Sequence, residues 1–508
     1  MATKLIYHLH HEGYTVYHRA ALGGLAATVY AWQHSHRDIA PDGIHCDLNE
    51  TTVTLQWDDV LQDTDAMERI LKASFRLTEK KLIDLPGMGL RTGDDSSRVA
   101  IHNAITGTFL QHPKMRPGEK EPRKINIADA DHEESALFIS YKAINSYAHQ
   151  KAQGTGLLDS PGKMLAHAKI PQSVIPGAMS GSLNLEASGE EVFLLLYLMV
   201  GCPLYLLRSK THEEKAQYCV LVPDVTKLKT YAKSIHEWAK HPFNGSFSHD
   251  YASRIAGGAE EAAMRFLVDL TFGKDISPEW TGVAGCLAIA MGKVAWDGNQ
   301  INRSLVFPIR ADYEEMGIFR AANGSSLGMK RKITLKSGDA FVIPASPVPA
   351  LIAANLTTAN RHWCSGFIDL VKEQKEFKNM MYEKGGFQKM KEAIKNNEDR
   401  LIIEAIHEAW YRTLGQMGER AKQEGADFFR LVEVEQEKMR NAILRMKSSE
   451  LLAGWFMQFC AAATKGAPLL VFQENKAQVV EFIFNKRNYD RFRSLCLFAL
   501  LSYEAHDK

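Results

Sequence analysis

Residues 391–446 read KEAIKNNEDRLIIEAIHEAWYRTLGQMGERAKQEGADFFRLVEVEQEKMRNAILRM. Apolar residues return in this stretch at helical spacing, and it contains no proline. The pattern predicts long amphipathic helices over Lys391–Leu414 and Glu419–Met446. Three more are expected at Ser449–Thr464, Lys476–Phe484 and Tyr489–Glu504. Beyond about Phe367 the only proline is Pro468. Together these features specify a C-terminal helical bundle.

Toward the N-terminus the character changes, and short strands alternate with short helices. Ile6–Leu9 and Thr51–Trp57 are expected as strands, and Tyr14–His34 and Asp58–Leu77 as helices. Gly23-Gly24 inside the first helix costs about 1 kcal/mol per residue relative to Ala, so close packing or a bend is its expected purpose. Val99–Leu110 reads as a helix or a strand, Ser135–Gln150 as a helix, and Asp84–Lys124 is otherwise rich in Pro and Gly, as exposed loops are. The greasy run Val192–Leu207 is broken by Gly201 and Pro203. It is shorter than the roughly 18 apolar residues of a membrane span and reads as a buried helix entering a strand. Helices follow at Val225–Ala239 and Glu260–Leu270. Cys286–Trp296 and Ile301–Ile309 then form a hairpin around Asp297-Gly298-Asn299-Gln300. Strand-like pieces end the body at Lys332–Leu335, Ala340–Ile343 and Ala350–Ala353. The expected fold class is α+β, with a mixed α/β body over 1–370 and an all-α helical bundle over 371–508.

The chain has 508 residues, 45% hydrophobic and 24% charged, with 61 Lys+Arg against 60 Asp+Glu for a net charge of +1. At about 100–200 residues per domain, that length allows about three domains. The composition excludes wholesale disorder and a polybasic protein, so any nucleic-acid surface must be a local patch. Seven scattered cysteines include no CxxC pair, which excludes zinc-finger spacing and is expected of reduced thiols in a cytoplasmic protein. The start Met1-Ala2-Thr3-Lys4-Leu5-Ile6-Tyr7 lacks the apolar core of a signal peptide.

Enzyme signatures are missing: there is no GxxxxGK[ST], no GxGxxG after a strand, no HExxH and no GxSxG. The sequence therefore gives no cofactor, no metal ligand set and no catalytic residue. One acid/base candidate remains in His8, His10 and His11, with His18 on the next helix. Paired imidazoles could act as acid and base on an RNA 2′-hydroxyl, and an RNA-processing endonuclease is the rival reading. The alternative is that these rings pack or bond locally.

Basic clusters carry more information. Lys114, Arg116, Lys120, Arg123 and Lys124 sit in one Pro/Gly-rich stretch. Lys330, Arg331 and Lys332 follow a Gly/Ser-rich turn, and Lys486, Arg487, Arg491 and Arg493 mark the last helices. Cations on loops or helix edges neutralise phosphates and release counterions, although such runs are also ordinary solvated surface. At the hairpin tip Asn299, Gln300, Asn302 and Arg303 present amides and a guanidinium, the groups that bond base edges, although Asn also simply makes good turns.

The run Tyr7-His8-Leu9-His10-His11-Glu12-Gly13-Tyr14-Thr15-Val16-Tyr17-His18-Arg19-Ala20-Ala21-Leu22-Gly23-Gly24-Leu25-Ala26-Ala27 resembles the opening of the CRISPR-associated large-subunit family, Myxan subtype, found in type I-B-like operons. The HRAALGGLAA segment is its specific part. The resemblance implies a non-catalytic subunit of Cascade, the guide-RNA complex with backbone, handle-binding and small subunits. Such a subunit reads the protospacer-adjacent motif (PAM) on target double-stranded DNA, promotes duplex opening and holds the displaced strand, while guide pairing reads the sequence. Downstream partners would be a helicase-nuclease in defence or transposition proteins in a transposon-associated system. The same resemblance gives Gly385-Gly386 a second meaning. Their GGN-GGN codons can spell a ribosome-binding site ahead of Met390, so that the gene also encodes a small subunit. Otherwise the pair is a linker before a helix.

Overall fold

The computed structural model describes residues 3–34, 39–89, 95–110, 118–128, 134–141, 155–159, 161–170, 185–207, 217–240, 255–271, 278–291, 305–310, 315–324, 327, 331–334, 340–343, 346–464 and 468–503. The chain forms two compact units, Met1–Asp312 and Tyr313–Lys508. The fold is α+β, and the change of character near residue 370 falls inside the second unit.

In the first unit, β1 (Thr3–His8), β2 (Ile44–Leu48) and β3 (Thr52–Trp57) make an antiparallel sheet in the order β1-β3-β2. Between β1 and β2 runs α1 (Val16–His34), whose residues Ala20–Val29 are all buried. A helix apolar on every side belongs in a core. It packs on the short helix Leu198–Gly201, on the helix Leu228–Lys240 and against the central sheet. The glycines allow this. A Cβ on Gly24 would collide with the carbonyl oxygen of Tyr197, and one on Gly201 with that of Ala20. Close packing is therefore the reason for Gly23-Gly24. The HRAALGGLAA segment is mostly core.

Next come β4 (Arg76–Leu77) and β5 (Ile83–Asp84), an antiparallel pair, then α2 (Asp95–Gly107), β6 (Gly118–Ala128) and β7 (Glu134–Tyr141), a second antiparallel pair. Two expectations fail here. The stretch from 118 to 124 is strand rather than loop, and Glu134–Tyr141 is strand rather than helix; 142–150 lies outside the described residues. Leu137, Phe138, Ile139 and Tyr141 suit a pleated surface, and β6 supplies the partner that sequence periodicity cannot reveal.

The run from Val192 behaves as expected, with the helices Gly189–Leu195 and Leu198–Gly201 leading into β10 (Leu204–Leu207), after the short pair β8 (His167–Lys169) and β9 (Glu186–Ser188). β11 (Gln217–Val225), β12 (Ile255–Ala256), β13 (Val283–Met291) and β14 (Leu305–Arg310) complete a five-stranded sheet in the order β12-β10-β11-β13-β14. Only the β10–β12 pair is parallel.

The second unit opens with the helix Met316–Asn323 and the pair β15 (Arg331–Thr334) and β16 (Ala340–Ile343). The expected strand at 350–353 is instead the helix Val348–Leu356. Its start carries a proline in the first turn, where a missing N–H costs nothing. The bundle then runs through α3 (Lys384–Ala393), α4 (Asn397–Glu424), α5 (Phe428–Arg445), α6 (Ser449–Ala463), α7 (Lys476–Phe484) and α8 (Tyr489–Ser502). The Asn396 side chain caps α4 by accepting from the Asp399 N–H. The helix expected to end at Leu414 continues through Gly415 and Gly418 and stops at Gly425, whose φ of 64° lies in the left-handed region. Gly385-Gly386 is not a linker but part of α3, and Met390 is fully buried in that helix. Phe387 meets Phe367 and Phe498 edge-on, and Trp363 meets Phe498 likewise, which fixes α3 and the preceding segment on α8.

Six of the seven cysteines are buried and all are free thiols, with burial pushing those of Cys46 and Cys460 up to about 12. Among the described residues, no helix is long and apolar enough to cross a membrane.

Candidate nucleic-acid interface

The basic residues of 114–124 divide. Lys114 and Arg116 lie outside the described residues. Lys120, Arg123 and Lys124 stand on β6, with Arg123 opposite Ile139 and Lys124 opposite Phe138 on β7. Lys124 is exposed, and the next residue, Ile125, is buried in a cluster with Leu82, Val99 and Ile139. Each of those side chains contributes about 1.5–3 kcal/mol by leaving water. They seat the β6–β7 hairpin on β5 and α2. Beneath it Arg98 forms a buried ion pair with Asp84, and His102 Nδ1 accepts the Ile83 N–H. The cations of β6 therefore ride on a packed scaffold.

Sequence reading missed their neighbours. Arg123 donates from a terminal guanidinium nitrogen to the Lys80 carbonyl at 2.7 Å. That hydrogen bond ties Arg123 to the β4–β5 turn, which carries the exposed Lys80 and Lys81. A two-residue basic run attracts no notice alone, and no local signal links it to a strand more than forty residues away.

Asn299, Gln300, Asn302 and Arg303 lie outside the described residues. Their base is described: β13 and β14 pair from Gly285↔Arg310 to Ala290↔Leu305, as the hairpin reading required. Lys330 is also outside. Arg331 and Lys332 begin β15, opposite Ile343 and Val342.

The last patch needs correction. Lys486 and Arg487 are exposed on a short turn, with Lys486 Nζ 3.0 Å from Glu450 Oε1. Arg491 faces inward. Its Nε donates to Asp399 Oδ1 at 2.8 Å, and its terminal nitrogens to Glu398 Oε2 and Asn396 Oδ1, both at 3.0 Å. The guanidinium also lies over the Phe482 ring. Arg493 donates to the carbonyls of Ile443 and Leu444, the unsatisfied C-terminal groups of α5. Both arginines are occupied in holding the bundle together, so neither presents a guanidinium to a phosphate.

Asp399 is the centre of this network. It has no exposed surface and also accepts from Trp363 Nε1 at 2.9 Å and pairs with His362 Nε2 at 2.8 Å. Burial alone would raise its carboxyl, but the bonds and charges of His362 and Arg491 outweigh that and hold it below the usual range.

Three of the N-terminal histidines, His8, His11 and His18, make local side-chain contacts. His8 and His10 are exposed on either side of buried Leu9, with His8 Nδ1 3.3 Å from Thr52 Oγ1. His18 Nδ1 accepts the Thr15 N–H at 3.2 Å, as the third residue of a helix does in a capping box. Its Nε2 meets Glu191 Oε1 at 2.7 Å, a carboxylate the linear sequence hides. The Tyr14 ring stacks on His18 and is tilted against His11, and burial followed by the Glu191 and Glu190 charges pushes the Tyr14 phenol up to about 12. Among the described residues, no group of three or more His, Cys, Asp or Glu is placed to hold a metal ion.

Residues 6–196 match the family model of the DevT N-terminal domain, and 390–508 that of the DevT C-terminal domain. The CRISPR-associated protein Cas8a1/Csx13 of Myxococcus xanthus (strain DK1622) is 24% identical over 380 residues, 71% of this chain and 62% of the relative. The chain thus spans less than two thirds of that relative's length.

Proposed function

We propose that this chain is the non-catalytic large subunit of a type I, I-B-like Cascade complex acting in the cytoplasm. It recognises the PAM on target duplex, promotes opening and holds the displaced strand. The observation that carries this reading is the similarity to a CRISPR-associated protein, which extends far beyond the N-terminal segment that first pointed to the family. A basic hairpin on a packed scaffold fits the first task, electrostatic capture of DNA by a protein of net charge +1. Base reading belongs in this reading to the β13–β14 connection, which carries Asn299, Gln300, Asn302 and Arg303 on two paired strands. Guide–target pairing reads the remaining sequence.

The helical bundle has the small-subunit role. In support of an internal start, the C-terminal domain match begins at Met390 and ends at the last residue. A product beginning there lacks Trp363, Phe367 and Phe387, so its Phe498 and Asp399 would need cover from a neighbouring subunit.

The test is co-expression with the neighbouring genes, followed by purification and binding of a small PAM library at two salt concentrations. Co-purification of a guide RNA with repeated backbone subunits is expected. Alanine at Asn299, Gln300 or Arg303 should cost about 1–3 kcal/mol and relax the PAM preference. Equal weakening on every PAM would move base reading elsewhere, and absence of guide RNA would reject the assignment.

A further inference from the structure

A cleft of about 350 Å³ lies among α3, α4 and the end of α8. Lys391 from α3 and His407 and Tyr411 from α4 line it, with Tyr503 from beyond α8. His407 Nε2 donates to the Ala499 carbonyl at 3.0 Å, because a carbonyl can only accept. Its Nδ1 therefore keeps a lone pair and accepts from Lys391 Nζ at 3.4 Å. The imidazole is a neutral prop for the ammonium. Two of the three ammonium N–H donors remain, and among the described residues no carboxylate pairs with them. A half-buried cation held by a neutral ring lacks the counter-charge that would offset its desolvation.

The two carboxylates of the cleft do not supply it. Glu408 is neutralised by Arg412 at 2.9 Å and accepts the Leu470 and Val471 N–H groups at 2.8 and 2.9 Å. Glu392 is exposed and makes no ion pair among the described residues. It limits what can enter: a single carboxylate can reach Lys391, whereas a polyanion would carry further negative charges past Glu392. The rim is apolar. Tyr411 and Leu470 are each 59% exposed, and the Leu470 N–H is bonded to Glu408 at the edge of the cleft. A small molecule on Lys391 would leave these side chains in water, and a protein surface would cover them. A charged anchor beside exposed aromatic and aliphatic side chains is the anatomy of a protein–protein hot spot.

We infer that this cleft is a docking site for another protein, which sets one Asp, Glu or C-terminal carboxylate on Lys391 and covers Tyr411 and Leu470. The inference rests on the function proposed above only in taking that protein to be a subunit of the same complex.

The experiment uses the full-length chain, alone and in the complex obtained by co-expression with the neighbouring genes. Brief acetylation followed by mass spectrometry measures the reactivity of Lys391. A carbodiimide, which condenses an amine with a carboxylate in contact with it, records the partner. In the complex Lys391 should be protected from acetylation and cross-linked to a carboxylate of a different polypeptide. Exposed Lys389, on the same helix, is the control and should stay reactive. Lys391→Gln removes the charge and leaves His407 its bond to Ala499, so the melting temperature of the lone chain should not change. The partner's affinity should fall about thirtyfold or more. Lys389→Gln should change neither. A cross-link confined to a second copy of this chain, or protection of Lys391 in the lone chain by citrate, would overturn the dock. A complex that carries guide RNA but leaves Lys391 as reactive as in the lone chain also overturns it, while the functional reading stands. A complex without guide RNA in which Lys391 is protected and cross-linked rejects the functional reading and keeps the dock.

Discussion

Arg491 and Asp399 lie 92 positions apart in sequence and are joined by a 2.8 Å bond from the arginine Nε to a carboxylate with no exposed surface. The arginine itself is 19% exposed. An arginine in a basic run near a C-terminus looks available for DNA, yet here it neutralises a buried acid that orders the bundle.

Removing that arginine should unfold rather than unbind. Arg491→Ala leaves Asp399 buried with less compensation, a change that costs about 3–5 kcal/mol. Exposed Arg487→Ala should stay within about 0.5 kcal/mol of the parent. Urea denaturation of both variants checks this, and equal stabilities would contradict the network's role.

His407 makes the second unit sensitive to mild acid. Its Nε2 lies 3.0 Å from the Ala499 carbonyl and its Nδ1 3.4 Å from Lys391 Nζ. A carbonyl only accepts and an ammonium only donates, so the ring must be neutral. Burial and then the Lys391 charge push its pKa down from 6.5 to about 3. The folded-state value lies below the unfolded one, so the contribution is complete above about pH 6.5 and is lost as pH falls toward about 3. The loss is at most about 1.4 kcal/mol per pH unit in that window. Melting curves at several pH values should show a steeper acid decline in the parent than in His407→Gln.

Close approach at Gly24 sets a limit on its replacement. Gly24→Ala should destabilise the first unit by about 1–3 kcal/mol or more, because the Tyr197 carbonyl it would meet is backbone and cannot rotate away. Gly385→Ala, where an added Cβ meets nothing within 4 Å, should be neutral or stabilising. Thermal denaturation separates the two.

Met390→Leu tests the internal start without disturbing the fold. Although the side chain is fully buried, Leu matches its volume at a cost below about 1.5 kcal/mol. A short C-terminal product should appear from the parent gene and vanish in the variant. Its persistence would move the start to Met380 or Met381, and its absence from the parent would end the idea.

Repeat RNA should survive incubation with the purified protein, and His10→Ala should change nothing. Cleavage abolished by that substitution would restore the endonuclease reading.

The sequence by itself determined the elements whose signals are local. Apolar periodicity marked the helices of the bundle, Lys476–Phe484 to the residue, because a 3.6-residue repeat is written in consecutive positions. The Asp297-Gly298 signal marked the pairing of β13 with β14, and Gly201-Cys202-Pro203 marked the entry into β10. Tertiary structure decided whatever depends on a distant partner. The stretch 134–141 became a strand because β6 lies beside it, and 118–124 joined it there. Arg491 was withdrawn from the surface by a carboxylate that helix packing brings to it, while Arg123 was tied to the Lys80 carbonyl of a turn far from it in sequence. Charge is visible in a sequence, but its availability depends on which opposite charge and which backbone carbonyl the fold places within 3 Å, and these bonds join positions from 43 to 173 residues apart.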